Sequence, residues 1–205
     1  MRVEYLGHAC FLLADNNFTL IIDPFKEIGY DCEIRKSDFC VCSHLHYDHC
    51  ATDRVLGCTI IDDSNISLFN WIKSIPSFHD EVNGSIRGKN LIHIVNGSYT
   101  VCHLGDLGMP YNEDLCRAIG DVDILLIPVG GKYTIDSNEA KKYVQGINPK
   151  IVIPMHYKTK KSDIDISKKD GFIRGYTNIV KSDTVINITE LPDEMIIYDI
   201  IDDNF

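Results

Sequence analysis

Apolar and polar positions alternate in short runs through the first quarter of the chain: RVEYL, ACFLLA and FTLIID, the last two separated by Asp15-Asn16-Asn17. Period-two alternation bounded by Asn and Asp is the signature of half-buried strands joined by tight turns, so this segment reads as an antiparallel start closed by Pro24. A polar stretch follows. Then DFCVCS, a short apolar run, stops directly at a histidine-rich cluster and places it at the C-terminal tip of a strand. Further on, NLIHIV, Asn96-Gly97 and SYTVCHLGD repeat the arrangement: two strands, a tight turn and an exit aspartate, with Asp106 in the place of Asp23. The helical period predicts one helix over 112–119 behind an Asn or Asp cap and another over 137–146 that ends at a glycine. DILLIPVGG and PKIVIPMHY read as buried strands that each end in a loop, residues 158–170 as a charged surface excursion, and EMIIYDII as a final strand. With helices long enough to cover both faces, this order predicts a layered α/β sandwich made by residues 1–205 as one domain.

Composition narrows the class without changing that picture. Hydrophobic residues make up 44% and charged residues 24% of the 205 positions, ordinary values for a soluble globular chain. No apolar run approaches the roughly 20 residues a membrane span needs. Glu4, Gly7 and His8 interrupt the stretch where a signal peptide would keep an unbroken apolar segment, so no export is expected. The eight cysteines include no CxxC pair and sit largely among strand-like neighbours, which predicts reduced core thiols in a cytoplasmic protein. A formal net charge of -10 and the lack of a basic, aromatic-interleaved stripe disfavour nucleic acid as a partner. No feature of the sequence speaks for one oligomeric state over another.

The histidine-rich cluster is SHLHYDHC, residues 43–50. H-x-H-x-D-H arises by chance in such a chain on the order of once in a thousand, so coincidence is a poor explanation. Borderline-soft divalent metals such as zinc accept neutral imidazole and carboxylate ligands, and a loop at a strand tip can aim successive side chains into one cavity. In extended chain His44 and His46 face the same way, whereas Asp48 and His49 fall where the backbone turns and can address a second cation. Two cations need more than four ligands. His79 in PSFHDEVNG, Asp106 in HLGDLG and His156 in IPMHY each follow an apolar run beside turn residues, as ligands on loops at one sheet edge should. His103 reads as a hydrogen-bonding neighbour, His8 equally as that or as a turn histidine, and His93 as structural. Asp23 reads as a residue that orients the ligand loop.

These residues resemble a known family. H-x-H-x-D-H followed by a lone His, a lone Asp and a C-terminal His is similar to the metallo-β-lactamase superfamily. YLGHACFLL with IIDPF, FHDEVNGSIRGKN, HLGDLG, PVGGKYT and IPMHY resembles its small metal-dependent hydrolases related to ascorbate-6-phosphate lactonase, over residues 3–157. The resemblance implies a four-layered αββα sandwich, two mixed sheets flanked by helices, with the site at one edge between the sheets. It implies that His44, His46 and His79 bind a first metal ion, that Asp48, His49 and His156 bind a second, and that Asp106 bridges the two. All seven positions match. The chain has no room for the nuclease domain or helical cap of some relatives, so an open site is expected. Diiron relatives carry a carboxylate where this chain has His46, which disfavours an oxygen-reducing role.

The expected activity is therefore that of a metal-dependent hydrolase. Two divalent cations, zinc by default with manganese or iron as alternatives, would lower the pKa of a bridging water toward about 7. The resulting hydroxide would cleave a small ester, lactone or phosphoester. With Asp48, Asp106 and that hydroxide counted, the centre keeps a charge of about +1, which suits an anionic small-molecule substrate. Asp48 and Asp106 would orient the nucleophile, and Tyr133 is the candidate general acid among Lys132, Tyr133, Tyr157 and Lys158. Arg87 is the candidate clamp for a carboxylate or phosphate. The alternatives are a metal-binding or sensing protein without catalysis on the same fold, and a phosphodiesterase or nuclease.

Overall fold

A computed structural model of the chain describes residues 1–202 and 205. The first part contains β1 (Arg2–Gly7), β2 (Cys10–Asp15), β3 (Phe18–Ile22), β4 (Arg35–Lys36), β5 (Phe39–Val41), β6 (Val55–Leu56) and β7 (Thr59–Ile61). Next come β8 (Ile72–Phe78), β9 (Lys89–Asn96), β10 (Thr100–His103), α1 (Glu113–Ile119), β11 (Ile124–Pro128), α2 (Ser137–Ile147) and β12 (Ile151–Met155). The chain closes with α3 (Asp170–Ile173), β13 (Ile179–Ser182), β14 (Val185–Asn187) and β15 (Ile196–Ile200).

Two sheets organise these strands, one in the order β14-β1-β2-β3-β5-β7 and the other β13-β15-β12-β11-β10-β9-β8. The internal similarity seen in the sequence is reproduced in their pairing. β2 and β3 form an antiparallel hairpin and β3 then pairs in parallel with β5; β9 and β10 do the same, and β10 pairs in parallel with β11. Because β3, β5, β10, β11 and β12 end in loops rather than hairpins, their C-terminal tips are available for a site, as in other sheets with parallel strands.

Alternation decides which residues join the sheets. Val3, Tyr5, Phe11, Leu13, Leu20 and Ile22 pack into one continuous cluster with β9 to β12 and, beyond them, with Leu115, Tyr143 and Val144 of the helices. The opposite face of the first sheet, with Leu6, Cys10, Leu12, Ile21 and Cys40, is covered by Phe25, Ile28, Cys32 and Val55. The layered α/β sandwich of two mixed sheets is the architecture expected from the sequence. Over the first sheet the outer layer is made by residues 24–34 and by Val55 of the short β4–β6 pair. α1, α2 and α3 supply the layer beside the second sheet.

Three local differences have plain causes. β8 was not read from the sequence because Pro76 stands in its middle; it is the edge strand of its sheet, where proline is tolerated. α2 continues through Gly146 to Ile147 and ends on Asn148 in the left-handed region. Gly146 serves packing instead, with the Tyr111 ring and the Cys116 sulfur lying where its side chain would begin. α1 starts on the expected kind of cap, Asn112 Oδ1 accepting from Leu115 N, and α2 is capped by Asp136, whose Oδ1 accepts from Asn138 N and Glu139 N. No helix among the described residues is long and apolar enough to cross a membrane, and all eight cysteines are free.

The Asp136 cap yields a direct expectation. Replacing it with alanine orphans two amide groups and should lower stability by about 1 kcal/mol, read as a fall in the urea midpoint at unchanged m-value.

Candidate metal centre

Construction starts at the exit of β3. Asp23 is fully buried and lies in the left-handed region at φ 51. Its carboxylate accepts from Ser43 N and Ser43 Oγ, each at 2.6 Å, and meets His49 Nδ1 at 2.9 Å. Burial opposes the Asp23 charge, but the hydrogen bond from His49 and the neighbouring imidazoles outweigh it and hold the carboxyl well below the usual range. The single Ser43 hydroxyl proton goes to Asp23, so Ser43 Oγ accepts from His44 Nδ1 at 3.0 Å. Burial pushes His44 down to about 3, so the ring is neutral. Both imidazoles are thus engaged at Nδ1 and turn Nε2 to the centre; burial opposes a charge on His49, but the Asp106 and Asp23 carboxylates outweigh it and push the ring well above its ordinary range, a setting that favours positive charge there. The 43–50 segment closes on itself through His49 N and Cys50 N, which both donate to His46 O.

The second sheet contributes the opposite wall. β10 ends at His103, whose Nε2 donates to Ala9 O at 2.8 Å while Nδ1 accepts from Gly105 N at 3.1 Å. That one ring ties the β1–β2 turn to the loop carrying Asp106. Asn90 fixes the same loop: its Oδ1 accepts from Asp106 N, and its Nδ2 donates to Leu104 O and Ser77 Oγ. His79 follows β8, and its neighbour Asp80 accepts from four amides, those of Val82, Gly84, Ile86 and Arg87. His156 follows β12 at φ 50, with its amide donating to His8 O at 2.8 Å. Gly108 and Gly130 allow these approaches: a Cβ on Gly108 would lie 2.5 Å from the His79 carbonyl carbon, and one on Gly130 2.3 Å from His156 O.

All seven predicted ligand residues meet at one place. Asp106 Oδ2 lies 3.1 Å from His49 Nε2, 3.1 Å from His79 Nε2, 3.3 Å from His156 Nε2 and 3.9 Å from His44 Nε2. Burial works against the Asp106 charge, but His156 and His49 outweigh it and hold the carboxyl well below its ordinary range. Candidate ligand atoms fall into groups within 4.8 Å of one another: His44, His46 and His79; His44, His49 and Asp106; and His8, Asp48, His49 and His156. His44 Nε2, His49 Nε2, His8 Nε2 and Asp106 Oδ1 are buried without a hydrogen-bond partner. Each such atom costs on the order of 1–3 kcal/mol unless something satisfies it. Imidazole nitrogens and carboxylate oxygens are the donors divalent cations take, and this set exceeds the four that one tetrahedral cation holds. The residues therefore fit divalent-cation binding.

A cleft of about 580 Å³ opens onto this cluster, with His46, Asp48, His79, Asp106 and His156 exposed to it. Tyr133 stands in its wall, and the Arg87 guanidinium lies 4.5 Å above the Tyr133 ring. Lys132 is paired with Asp165. Two other general-acid candidates lie elsewhere. Tyr157 is buried against Tyr5 and does not line the cleft, and Lys158 Nζ donates to the carbonyls of Ser162 and Ile164. Residues 158–170 are more than a surface excursion, because Asp163, Ile164 and Asp165 form part of the cleft wall, as do Glu27 and Tyr47. Tyr47 belongs to the histidine-rich motif itself, whereas nothing in the local sequence marks Glu27, Asp163, Ile164 or Asp165, which chain folding brings there. His93 sits away from the cleft, its Nδ1 against Ser74 Oγ at 2.8 Å.

The sequence profile of the β-lactamase superfamily domain matches residues 2–156. The UPF0173 protein of Pyrococcus furiosus is 30% identical over 192 residues, covering 83% of this chain and 90% of that protein. A UPF0173 metal-dependent hydrolase of Carboxydothermus hydrogenoformans is 29% identical over 197 residues, covering 78% and 85%. Among solved structures, a Thermotoga maritima protein described as a Zn-dependent hydrolase of the metallo-β-lactamase superfamily superposes with a TM-score of 0.77. It is 30% identical and the match covers 98% of this chain and 99% of that one.

The close approach at Gly108 can be probed alone. Gly108→Ala should cost about 1–3 kcal/mol by overpacking against the His79 backbone, measured by urea denaturation, because both neighbours are backbone and cannot swing aside.

Proposed function

The chain belongs to the metallo-β-lactamase superfamily of metal-dependent hydrolases, and from that premise we propose that it cleaves a small anionic ester, lactone or phosphoester at a two-cation centre. One observation carries this reading: three imidazole nitrogens converge within 3.1–3.3 Å of a single buried carboxylate oxygen of Asp106, on the floor of an open cleft. His44, His46 and His79 would hold one cation and Asp48, His49 and His156 the other, with Asp106 shared between them. Bound divalent ions, zinc by default, supply Lewis acidity and a water acidic enough to attack at neutral pH.

The chain's own residues do the rest. Asp48 and Asp106 accept hydrogen bonds from the attacking water and orient it toward the scissile group. Tyr133, in the cleft wall, donates a proton to the leaving oxygen. Among the described residues no carboxylate lies within ion-pair distance of Arg87 or Arg174, whereas Arg2, Arg35, Arg54 and Arg117 are each ion-paired, and of these six only Arg87 lines the cleft. Stacked on Tyr133 and held at its amide by Asp80, it keeps its donors for an anionic group of the substrate. Eight free thiols fit a reducing compartment, so we assign the protein to the cytoplasm, acting as one domain over 1–205.

Elemental analysis of the protein purified without chelator should find two divalent ions per chain, and hydrolysis is then read on a panel of esters, lactones and phosphoesters. His46→Ala should lower both the metal content and turnover, the latter by at least about a hundredfold, more than loss of a ligand's supporting neighbour usually costs. Native protein that binds no divalent cation would defeat the proposal. For whichever anionic substrate is turned over, Arg87→Gln should raise KM roughly 10- to 100-fold with kcat little changed, and should leave neutral analogues unaffected.

A further inference from the structure

His8 is not among the seven residues assigned to the two cations, yet its side chain is aimed into the centre beside Asp48, His49 and His156. It follows β1 at the turn into β2, is 2% exposed, and has its Nε2 buried without a hydrogen-bond partner. That nitrogen lies 3.5 Å from Asp48 Oδ2. The separation is too long for a nitrogen–oxygen hydrogen bond, which falls at about 2.7–3.2 Å. It lies well inside the 4.8 Å within which His8, Asp48, His49 and His156 each offer a donor atom to one site. The ring also stands 4.3 Å from the His156 ring and 4.9 Å from the His49 ring, centroid to centroid, so it faces the two imidazoles assigned to the same cation.

The backbone gives an independent reason to look for a role here. His8 is held at φ 54, directly after Gly7 at φ 105. A turn that needs only a left-handed residue is served by glycine or asparagine without the strain a histidine incurs. The strained conformation is pinned from two sides, by His156 N at 2.8 Å and Tyr5 Oη at 3.1 Å, which both donate to His8 O. Backbone strain maintained in this way is characteristic of functional positions.

We infer that His8 is a further protein ligand of the cation held by Asp48, His49 and His156 together with the shared Asp106. This rests on the two-cation reading. Its consequence is an unequal pair: the position beside His8 draws on three imidazoles and Asp48 in addition to the shared Asp106.

The test uses cobalt(II)-substituted full-length protein, read by metal titration against a chelator and by the hyperfine-shifted imidazole resonances in proton NMR. In the native chain these should come from six histidines: His8, His44, His46, His49, His79 and His156. His8→Asn keeps a residue that tolerates the left-handed backbone; it should weaken the second cobalt more than about a hundredfold, leave the first unchanged, and remove one imidazole from the count. His8→Gly should lose the same signal and regain a cobalt-bound imidazole when free imidazole is added. Five shifted imidazoles in the native chain, or a count that His8→Asn leaves unaltered, would overturn the assignment even if cobalt affinity fell, because a residue acting only through Asp48 would weaken binding without being counted. Native protein that takes up no cobalt would overturn the two-cation reading itself. The native count stands whether or not either variant folds.

Discussion

A fully buried carboxylate ringed by imidazoles is the interaction the rest of the structure is arranged to hold. Asp106 is 1% exposed, and one of its oxygens sits within 3.1–3.9 Å of four histidine nitrogens. Burying a charge in this way is costly unless it is paired and its geometry fixed, and a displacement of a few tenths of an ångström would undo the arrangement. The structure meets that demand with a second ring of contacts. Asn90 holds the Asp106 amide, His103 ties the preceding loop to the other sheet, and Asp23 fixes His49 and, through Ser43, His44.

The two halves of the fold divide this work. Each has a hairpin followed by a parallel strand, and each hairpin exits on a buried aspartate, Asp23 in one and Asp106 in the other. One acts from behind the ligand loop, accepting from Ser43 and meeting His49, and the other stands at the centre itself. The same topological position thus gives an orienting carboxylate on one sheet and a shared one on the other. The difference follows from what each faces: Asp23 looks onto its own sheet's loop, while Asp106 looks across at histidines from both sheets.

Irregular backbone concentrates at the same edge. His8, Asp23 and His156 are three of the seven non-glycine residues with positive φ among the described residues, and Glu27, a fourth, lines the cleft. Glycine provides the complementary freedom at Gly108 and Gly130, where main chain packs directly on the main chain of His79 and His156. Strain and close packing of this kind are sustained only where surrounding contacts over-determine the conformation, and here those contacts are the hydrogen bonds that orient the donor atoms.

The sequence by itself determined the elements and the chemistry. Alternation and turn residues mark the hairpins β2–β3 and β9–β10, the cap at Asn112 and the helical period over 137–146 mark both main helices, and the spacing His44-x-His46-x-Asp48-His49 marks a candidate metal loop, because these signals are local and their physics acts within a few residues. Asp106 and His156 were legible as strand-end residues and His79 as a residue after an apolar run beside turn residues, though their convergence was not. Only tertiary structure decided that they share one oxygen of Asp106, that His8 joins them from the far end of the chain, and that Tyr157 turns into the core while Asp163 and Asp165 turn toward the cleft. β8 with its Pro76 and the outer layer over the first sheet were decided there too. Each of these depends on which strand neighbours which and on what two sheets bury between them, and contacts between residues far apart in sequence leave no periodic trace in the chain.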